Sequence, residues 1–255
     1  KKVTVPDAVT GRIKTAGVAL GTTNNIEFWS DILGLMFYQN GANPYNPTNA
    51  FAEETLLFYS LFAQPPDNVW DSNMDNSMVA FMSGKLAMMF APSWLAIEIT
   101  QANPDLKFKI VPVPQLPETP MVTWGSYWVE GVSAKSASQK EAFDFLAFLV
   151  ARENLTKLYN EEAKTRIVGE PYSRVDLAQA LIDHPLLGAY VVQGPNARSG
   201  YLSDRTMDNG INDRIIQYYK NAVNAVLAGS SPNQALTTAA QGITQILSQF
   251  GVASQ

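Results

Sequence analysis

An α/β fold, with a mixed sheet flanked by helices, is predicted by three features of this sequence. The stretch Phe81–Trp94 passes from helix to strand to helix with almost no loop: Gly84 stops a helix ending near Ser83, Leu86–Ala91 is a short buried strand, and Pro92-Ser93 starts a new helix at Trp94. Apolar residues recur at three- and four-residue spacing in several long segments, between short runs rich in strand formers. Capping boxes at Ser138-Gln139-Lys140-Glu141 and Ser231-Pro232-Asn233-Gln234 mark further helix starts. A strand that runs into a helix N-terminus makes a mouth, where free backbone N–H groups and the Trp94 ring face one opening.

In chain order, Lys14–Leu20 reads as a strand between Gly17 and Gly21 turn signals, and the Thr22-Thr23-Asn24-Asn25 cluster as an N-cap. The helix that follows carries Ile26, Trp29, Ile32, Leu33 and Met36 on one face and stops at Asn40-Gly41. A second helix, Thr48–Ala63, is expected to bury Phe51, Phe58, Leu61 and Phe62 before Pro65-Pro66 ends it. A third, Asn73–Ser83, feeds the strand at Leu86. Phe108–Val113 reads as a strand, and the prolines at 112, 114, 117 and 120 as a stiff crossover. Met121–Val132 reads as a strand interrupted by Gly125-Ser126. The helix after Ser138 turns Phe143, Leu146 and Leu149-Val150 inward, and another covers Arg152–Glu162. Arg166–Tyr172 is a return loop, Ser173–Asp183 a short helix, and Gly188–Arg205 loop with helical pieces. The chain closes with helices over Asp208–Ala228, stopped by Gly229, and from Pro232 to Phe250.

The 255 residues are 46% apolar, enough for one large domain or two small lobes. A net charge of −5 with no basic stripe argues against nucleic acid as a partner. Without Cys there are no disulfides and no thiolate chemistry. No apolar run approaches the roughly 20 residues of a membrane span, and Lys1–Pro6 lacks the apolar core of a signal peptide.

Aromatic residues at element edges, Trp94, Trp124, Tyr127, Trp128 and Tyr172, are candidates for ligand contact, because sugar rings stack their C–H faces on aromatic rings. Trp29, Phe51, Phe58, Phe62, Phe143 and Phe145 fall on helical stripes and are expected in cores. Asn24 and Ser93 are candidate hydrogen-bonding groups that also fit plain helix capping. Asp208, with Asp204, Asp213 and Arg205, fits either sugar hydroxyls or charge complementarity at a helix start. No catalytic residues are singled out: His184 is the only His and no G-x-S-x-G is present. No zinc ligand set, calcium loop, phosphate loop or dinucleotide loop occurs, so neither a metal nor a cofactor is expected.

The Phe81–Trp94 stretch resembles the phenylalanine, small residue, glycine, lysine, alanine, methionine … tryptophan segment of the extracellular solute-binding proteins of bacterial ABC importers, the maltose-binding-protein-like group. Where that family has glycine-proline-tryptophan or a close variant, this chain has Pro92-Ser93-Trp94. Trp124 through Tyr159 resembles a second hallmark, a Gly-rich strand, a turn at Val132-Ser133-Ala134-Lys135 and two helices; the family's Gly-Gly pair is Gly125-Ser126 here. The closing helix pair is similar as well. The resemblance implies a periplasmic-binding-protein-like lobe and non-catalytic capture of a solute, a sugar or oligosaccharide, outside the cytoplasm for an ABC permease. The protein would be periplasmic or tethered to the outer membrane face, with a hinge that closes two lobes. It implies ligand contacts from Asn24, Ser93, Trp94, Trp124, Gly125, Ser126, Tyr127, Tyr172 and Asp208. Residues 1–116 and 171–255 become the two parts of the C-terminal lobe, and 117–170 the segment crossing to the N-terminal lobe. The family's leading half-lobe has no equivalent here, so the resemblance implies a fragment or one part of a split protein that holds half a cleft, with a separate chain carrying the missing half as a partner. Two other readings stand beside it: a carbohydrate-active enzyme or its accessory domain, and an interaction module that docks the missing half. Relatives that bind iron, polyamines or phosphate leave the solute itself open.

Overall fold

Leu86–Met88 (β3) runs parallel to Ile13–Val18 (β2), which pairs on its other side with antiparallel Val5–Pro6 (β1), and these form the three-stranded mixed sheet of the predicted α/β fold. The computed structural model describes residues 1–66, 68–206 and 210–252. Two compact units divide the chain. The first comprises Lys1–Ala91, Val113–Gly125 and Asn196–Gln255, the second Pro92–Pro112 and Ser126–Pro195.

The first unit holds the sheet, a short parallel pair of Thr123–Trp124 (β4) with Ala197–Arg198 (β5), and helices Trp29–Gln39 (α1), Ala50–Leu61 (α2), Ser77–Met82 (α3), Ile211–Leu227 (α8) and Pro232–Gln249 (α9). Its core is built from Leu33 and Phe37 of α1, Leu56 and Tyr59 of α2, Ile215 and Tyr219 of α8, and Leu236 and Ile243 of α9, all fully buried. β3 is shorter than the expected Leu86–Ala91, and only Leu86 is buried, because β3 is an edge strand with a neighbour on one side. The stripe on α2 differs from the expected one. Ala52, Thr55, Leu56, Tyr59 and Ser60 face inward, while Phe51, Phe58 and Leu61 remain about half exposed. The one ring on the inner face is Tyr59, which packs in the core with Phe37, Trp70 and Tyr219.

The Thr22–Asn25 cluster caps nothing. α1 begins later, after Phe28 with φ 58°, and has no side-chain cap. Thr22 Oγ1 instead donates to Asn25 Oδ1 at 2.6 Å, Trp70 Nε1 lies 3.1 Å from both of those oxygens, Asn25 Nδ2 donates to the carbonyls of Asp71 and Met74, and the Tyr59 hydroxyl donates to Thr22 O at 2.8 Å. These buried polar atoms have partners, and so bind the loop before α1 to α2 and to the Trp70 segment. At the C-terminus the expected helix stop and cap are made, while the expected helix start at Asp208 lies outside the described residues. Ser231 Oγ accepts from Gln234 N, Pro232 opens α9, and Gly229 (φ +98°) closes the turn after α8, with Ser230 N donating to Ala225 O. Phe250 is half exposed rather than buried, and the Arg214 guanidinium lies over its ring.

The second unit contains Leu95–Ala102 (α4), Gln139–Leu149 (α5), Arg152–Thr165 (α6), a 3-10 turn over Val175–Ala180 and Gly188–Gln193 (α7). One cluster of its core is Val168, Leu181 and Leu187, with Ile97, Tyr159, Tyr172, Leu186 and Val191 packed around them, and Leu95, Ala96, Ile99 and Leu177 are buried as well. The strand expected over Phe108–Val113 does not form; Pro112 cannot donate to a ladder, and with Pro114 it restricts the residues before each. Of the expected Met121–Val132 strand only β4 exists, and the chain leaves the first unit directly after it, at Gly125. The capping box at Ser138 is not made: Ser138 accepts no side-chain cap bond, and its N–H donates to Ser136 Oγ. Phe143, Phe145 and Val150 point outward, not into a core.

Tyr59→Phe removes the one donor that Tyr59 provides to Thr22 O in a fully buried setting, and is expected to cost about 1–2 kcal/mol. Chemical denaturation of both proteins measures it; an unchanged midpoint would show that the bond contributes nothing.

Candidate functional site

A glycine in the middle of α1 decides where Trp124 goes. Asp31, Gly34 and Tyr38 share one stripe of the helix at three- and four-residue spacing. The Trp124 indole lies along it: Nε1 donates to Asp31 Oδ1 at 2.7 Å, the far ring edge fills the space above Gly34, and the ring stacks on Tyr38 with centroids 5.8 Å apart at 27°. A Cβ at residue 34 would come within 2.6 Å of the ring. The stack continues through hydroxyls and rings. Tyr38 donates to Ser199 O, its hydroxyl lies 3.4 Å from that of Tyr45, and the Tyr45 and Tyr201 rings are 5.3 Å apart.

At the other end of the stripe the groups are acidic. Asp31 Oδ2 accepts from Asp204 N at 3.1 Å, and Arg205 pairs with Glu27 while lying 4.8 Å over the Phe28 ring. Burial pushes the Asp31 carboxyl up to about 7, and the charge of Asp204 adds to that, against the hydrogen bonds from Asp204 N and Trp124. Burial also raises Asp204, opposed by Arg205. An aromatic wall with a carboxyl edge is suited to holding an uncharged polyhydroxylated ring by stacking and hydrogen bonding. Among the described residues, no group of three or more His, Asp or Glu is placed to hold a metal ion.

The nine residues singled out from the sequence fall into both units. Asn24, Trp124 and Gly125 belong to the first unit; Ser93, Trp94, Ser126, Tyr127 and Tyr172 belong to the second. Asp208 lies outside the described residues. Asn24 is exposed and lines a cleft of about 440 Å³ with Thr22, Gln64, Asp71, Ser72 and Asn224. Gly125 N donates to Arg198 O, which extends the β4–β5 pair. Trp94 is the half-buried residue immediately before α4, and Ser93 beside it makes no side-chain cap. The expectation of free amides at that mouth is overturned: the N–H groups of Leu95, Ala96 and Ile97 donate to the carbonyls of Pro92, Ser93 and Trp94. Ser126 and Tyr127 are exposed. Tyr172 packs its ring on Tyr159 at 5.1 Å beside the Val168 cluster.

Asp31, Tyr38, Tyr45 and Tyr201 were not anticipated. Two signals point to them: an acidic residue among the apolar positions of the first helix, and Gly34 inside that helix, where glycine is unfavourable without a packing reason.

A family model described as bacterial extracellular solute-binding protein matches residues 5–167. Among curated protein sequences, none matches. Solved structures similar to the chain include a cyclo/maltodextrin-binding protein complexed with maltotetraose (TM-score 0.69, 17% identity, covering 92% of this chain and 60% of that one). Two others are a maltotriose-binding protein of Thermus thermophilus bound with maltotriose (0.59, 17%, 91% and 61%) and a maltose/maltodextrin-binding domain from Bdellovibrio bacteriovorus bound to maltotriose (0.60, 18%, 96% and 63%). The chain therefore spans about three fifths of the length of the structures it matches. At these identities the likeness shows the fold: that of periplasmic binding proteins, mixed α/β.

Two outcomes are expected at this site. Gly34→Ala drives a methyl into the Trp124 ring and should cost about 1–3 kcal/mol, with a shift in tryptophan emission, measured by fluorescence-monitored unfolding. Between pH 4 and pH 7 the folded chain holds a proton on Asp31 that the unfolded chain has released, so this group's contribution to stability falls as pH rises through that window. The loss is on the order of 2–4 kcal/mol. The stability difference between the wild type and Asp31→Asn should shift in that sense across urea titrations at pH 4.5, 6 and 7.5; parallel profiles would contradict it.

Proposed function

The chain belongs to the bacterial extracellular solute-binding proteins, and from that premise we propose that it captures a saccharide outside the cytoplasm and passes it unaltered to the permease of an ABC importer. The observation that carries the saccharide reading is the set of partly exposed aromatic residues beside polar groups: Trp94 next to Ser93, Tyr127 next to Ser126, and Trp124 with Tyr38 and Asp31. Flat apolar faces beside hydrogen-bonding groups match the two kinds of surface that a sugar ring presents. The proteins of similar fold named above carry maltotriose or maltotetraose, which favours a saccharide over a free ion. In this reading the second unit offers Ser93, Trp94, Ser126 and Tyr127 to the sugar and the first unit offers Asn24, Trp124 and Gly125, Asp208 is a further candidate outside the described residues, and Tyr172 mainly holds its own unit's core in shape. The protein works in the periplasm or tethered to the outer membrane face. In this reading the first unit is the bulk of the C-terminal lobe; residues 92–112 and 171–195, expected in that lobe, fall in the second unit with most of 117–170.

Catalysis is disfavoured by the chemistry of the raised carboxyl. Asp31 already accepts from an indole N–H and a backbone N–H, which leaves it little freedom to protonate a leaving group. The test is calorimetry of the natural-length protein with maltose, maltotriose and maltotetraose, alongside assay for released reducing ends. Binding without release is expected, and Trp94→Ala should weaken it about tenfold or more. Release of reducing ends would overturn the receptor reading; binding unaffected by Trp94→Ala would remove that residue from the site.

A further inference from the structure

The chain passes between the two units at four places, and beside three of them a segment of the first unit is fastened to α1. Gln39 Nε2 donates to Pro114 O at 2.9 Å, just after the 112–113 passage, and to Val122 O at 3.3 Å, just before the 125–126 passage. Tyr38 donates to Ser199 O in the stretch that follows the 195–196 passage. Asp31 grips both stretches through a single carboxyl: Oδ1 takes the Trp124 indole N–H at 2.7 Å, and Oδ2 takes the Asp204 N–H at 3.1 Å.

We propose that the Asp31 carboxyl is a proton-operated clasp on these two stretches of chain, firm in acidic surroundings and looser toward neutral pH. Its two ionisation states trade one gain against another. The carboxylate accepts both N–H groups strongly, but it lies where water has little access and with Asp204 beside it. The neutral acid accepts well through one oxygen only, yet has no charge to solvate. Burial lifts the Asp31 carboxyl to about 7, so the solvation cost outweighs the stronger bonds. The charged groups around it come from three elements. Asp204 and Arg205 lie on the stretch after β5, with Arg205 paired to Glu27 ahead of α1, and Asp213 of α8 acts on Asp204. β4 brings the uncharged Trp124, and Arg198 of β5 is exposed. An opened clasp returns Asp31 to water and to the ordinary carboxylate range. The proton therefore favours the closed form, and that preference is lost as pH rises toward 7. The inference does not depend on which solute is bound.

Hydrogen exchange of the natural-length protein reads the clasp at two amides, Asp204 N and Gly125 N, the second bonded to Arg198 O. Once the intrinsic rate at each pH is divided out, their opening constants should rise about 50-fold from pH 5 to pH 7. Amides in the middle of α2 are the reference and should not follow. Asp31→Asn should abolish the rise, and Asp204→Asn should leave most of it. The Trp124 indole N–H resonance gives a second reading in the unaltered protein and should move with a midpoint near pH 7. Equal profiles at the clasp and in α2, a fixed indole resonance, or a rise that survives Asp31→Asn would overturn the proposal. Complete loss of the rise in Asp204→Asn would also overturn it, by making Asp204 the titrating group.

Discussion

The first unit depends on one indole fitting along one helix. Trp124 reaches Asp31 with its N–H, lies over Gly34 and stacks on Tyr38, so its orientation is set at three points of α1. Asp31 spends its other oxygen on Asp204 N, and Trp124 pairs in register with Arg198 through β4 and β5. Three chain passages remote in sequence are thereby fastened to α1. The cost is a carboxyl held in a poorly solvated place, which appears as its upward-shifted protonation.

A second polar knot does similar work at the other side of α1. Thr22, Asn25, Tyr59 and Trp70 satisfy one another and tie the loop between β2 and α1 to α2. Buried polar groups that are fully paired specify one arrangement more sharply than apolar contacts do. The second unit packs one of its clusters with aliphatic side chains alone, Val168, Leu181 and Leu187, with aromatic and aliphatic side chains around them. Two of its helices, α5 and α6, bury none of their residues, whereas α4 buries Leu95, Ala96 and Ile99.

Local signals were legible in the sequence, and pairings were not. The helices near Trp29, Ala50, Gln139, Ile211 and Pro232 follow from periodicity and turn residues, as does the strand after Gly84. The direction each helix faces was less accessible. On α2 Tyr59 faces α1, α8 and α9 while Phe51 and Phe58 lie outward, and nothing local to α2 reports which ring goes in. Thr22 and Asn25 look like caps because their chemistry suits caps; only the fold brings Trp70 to them from far along the chain. The candidate site divides the same way. Trp94 and Trp124 stood out as residues at element edges, whereas Asp31 gains its role only when Trp124 and Asp204 arrive.

The chain belongs to the bacterial extracellular solute-binding proteins, and the proposed reading is of a receptor that holds its solute by stacking and hydrogen bonding. Such a protein should carry its cargo through a gentle purification. Mass spectrometry of small molecules released on denaturing natural-length protein taken from its source tests this most directly. The account predicts an intact neutral oligosaccharide in near-stoichiometric amount; a metal ion, a polyamine, phosphate or a cleaved sugar product in its place would contradict it.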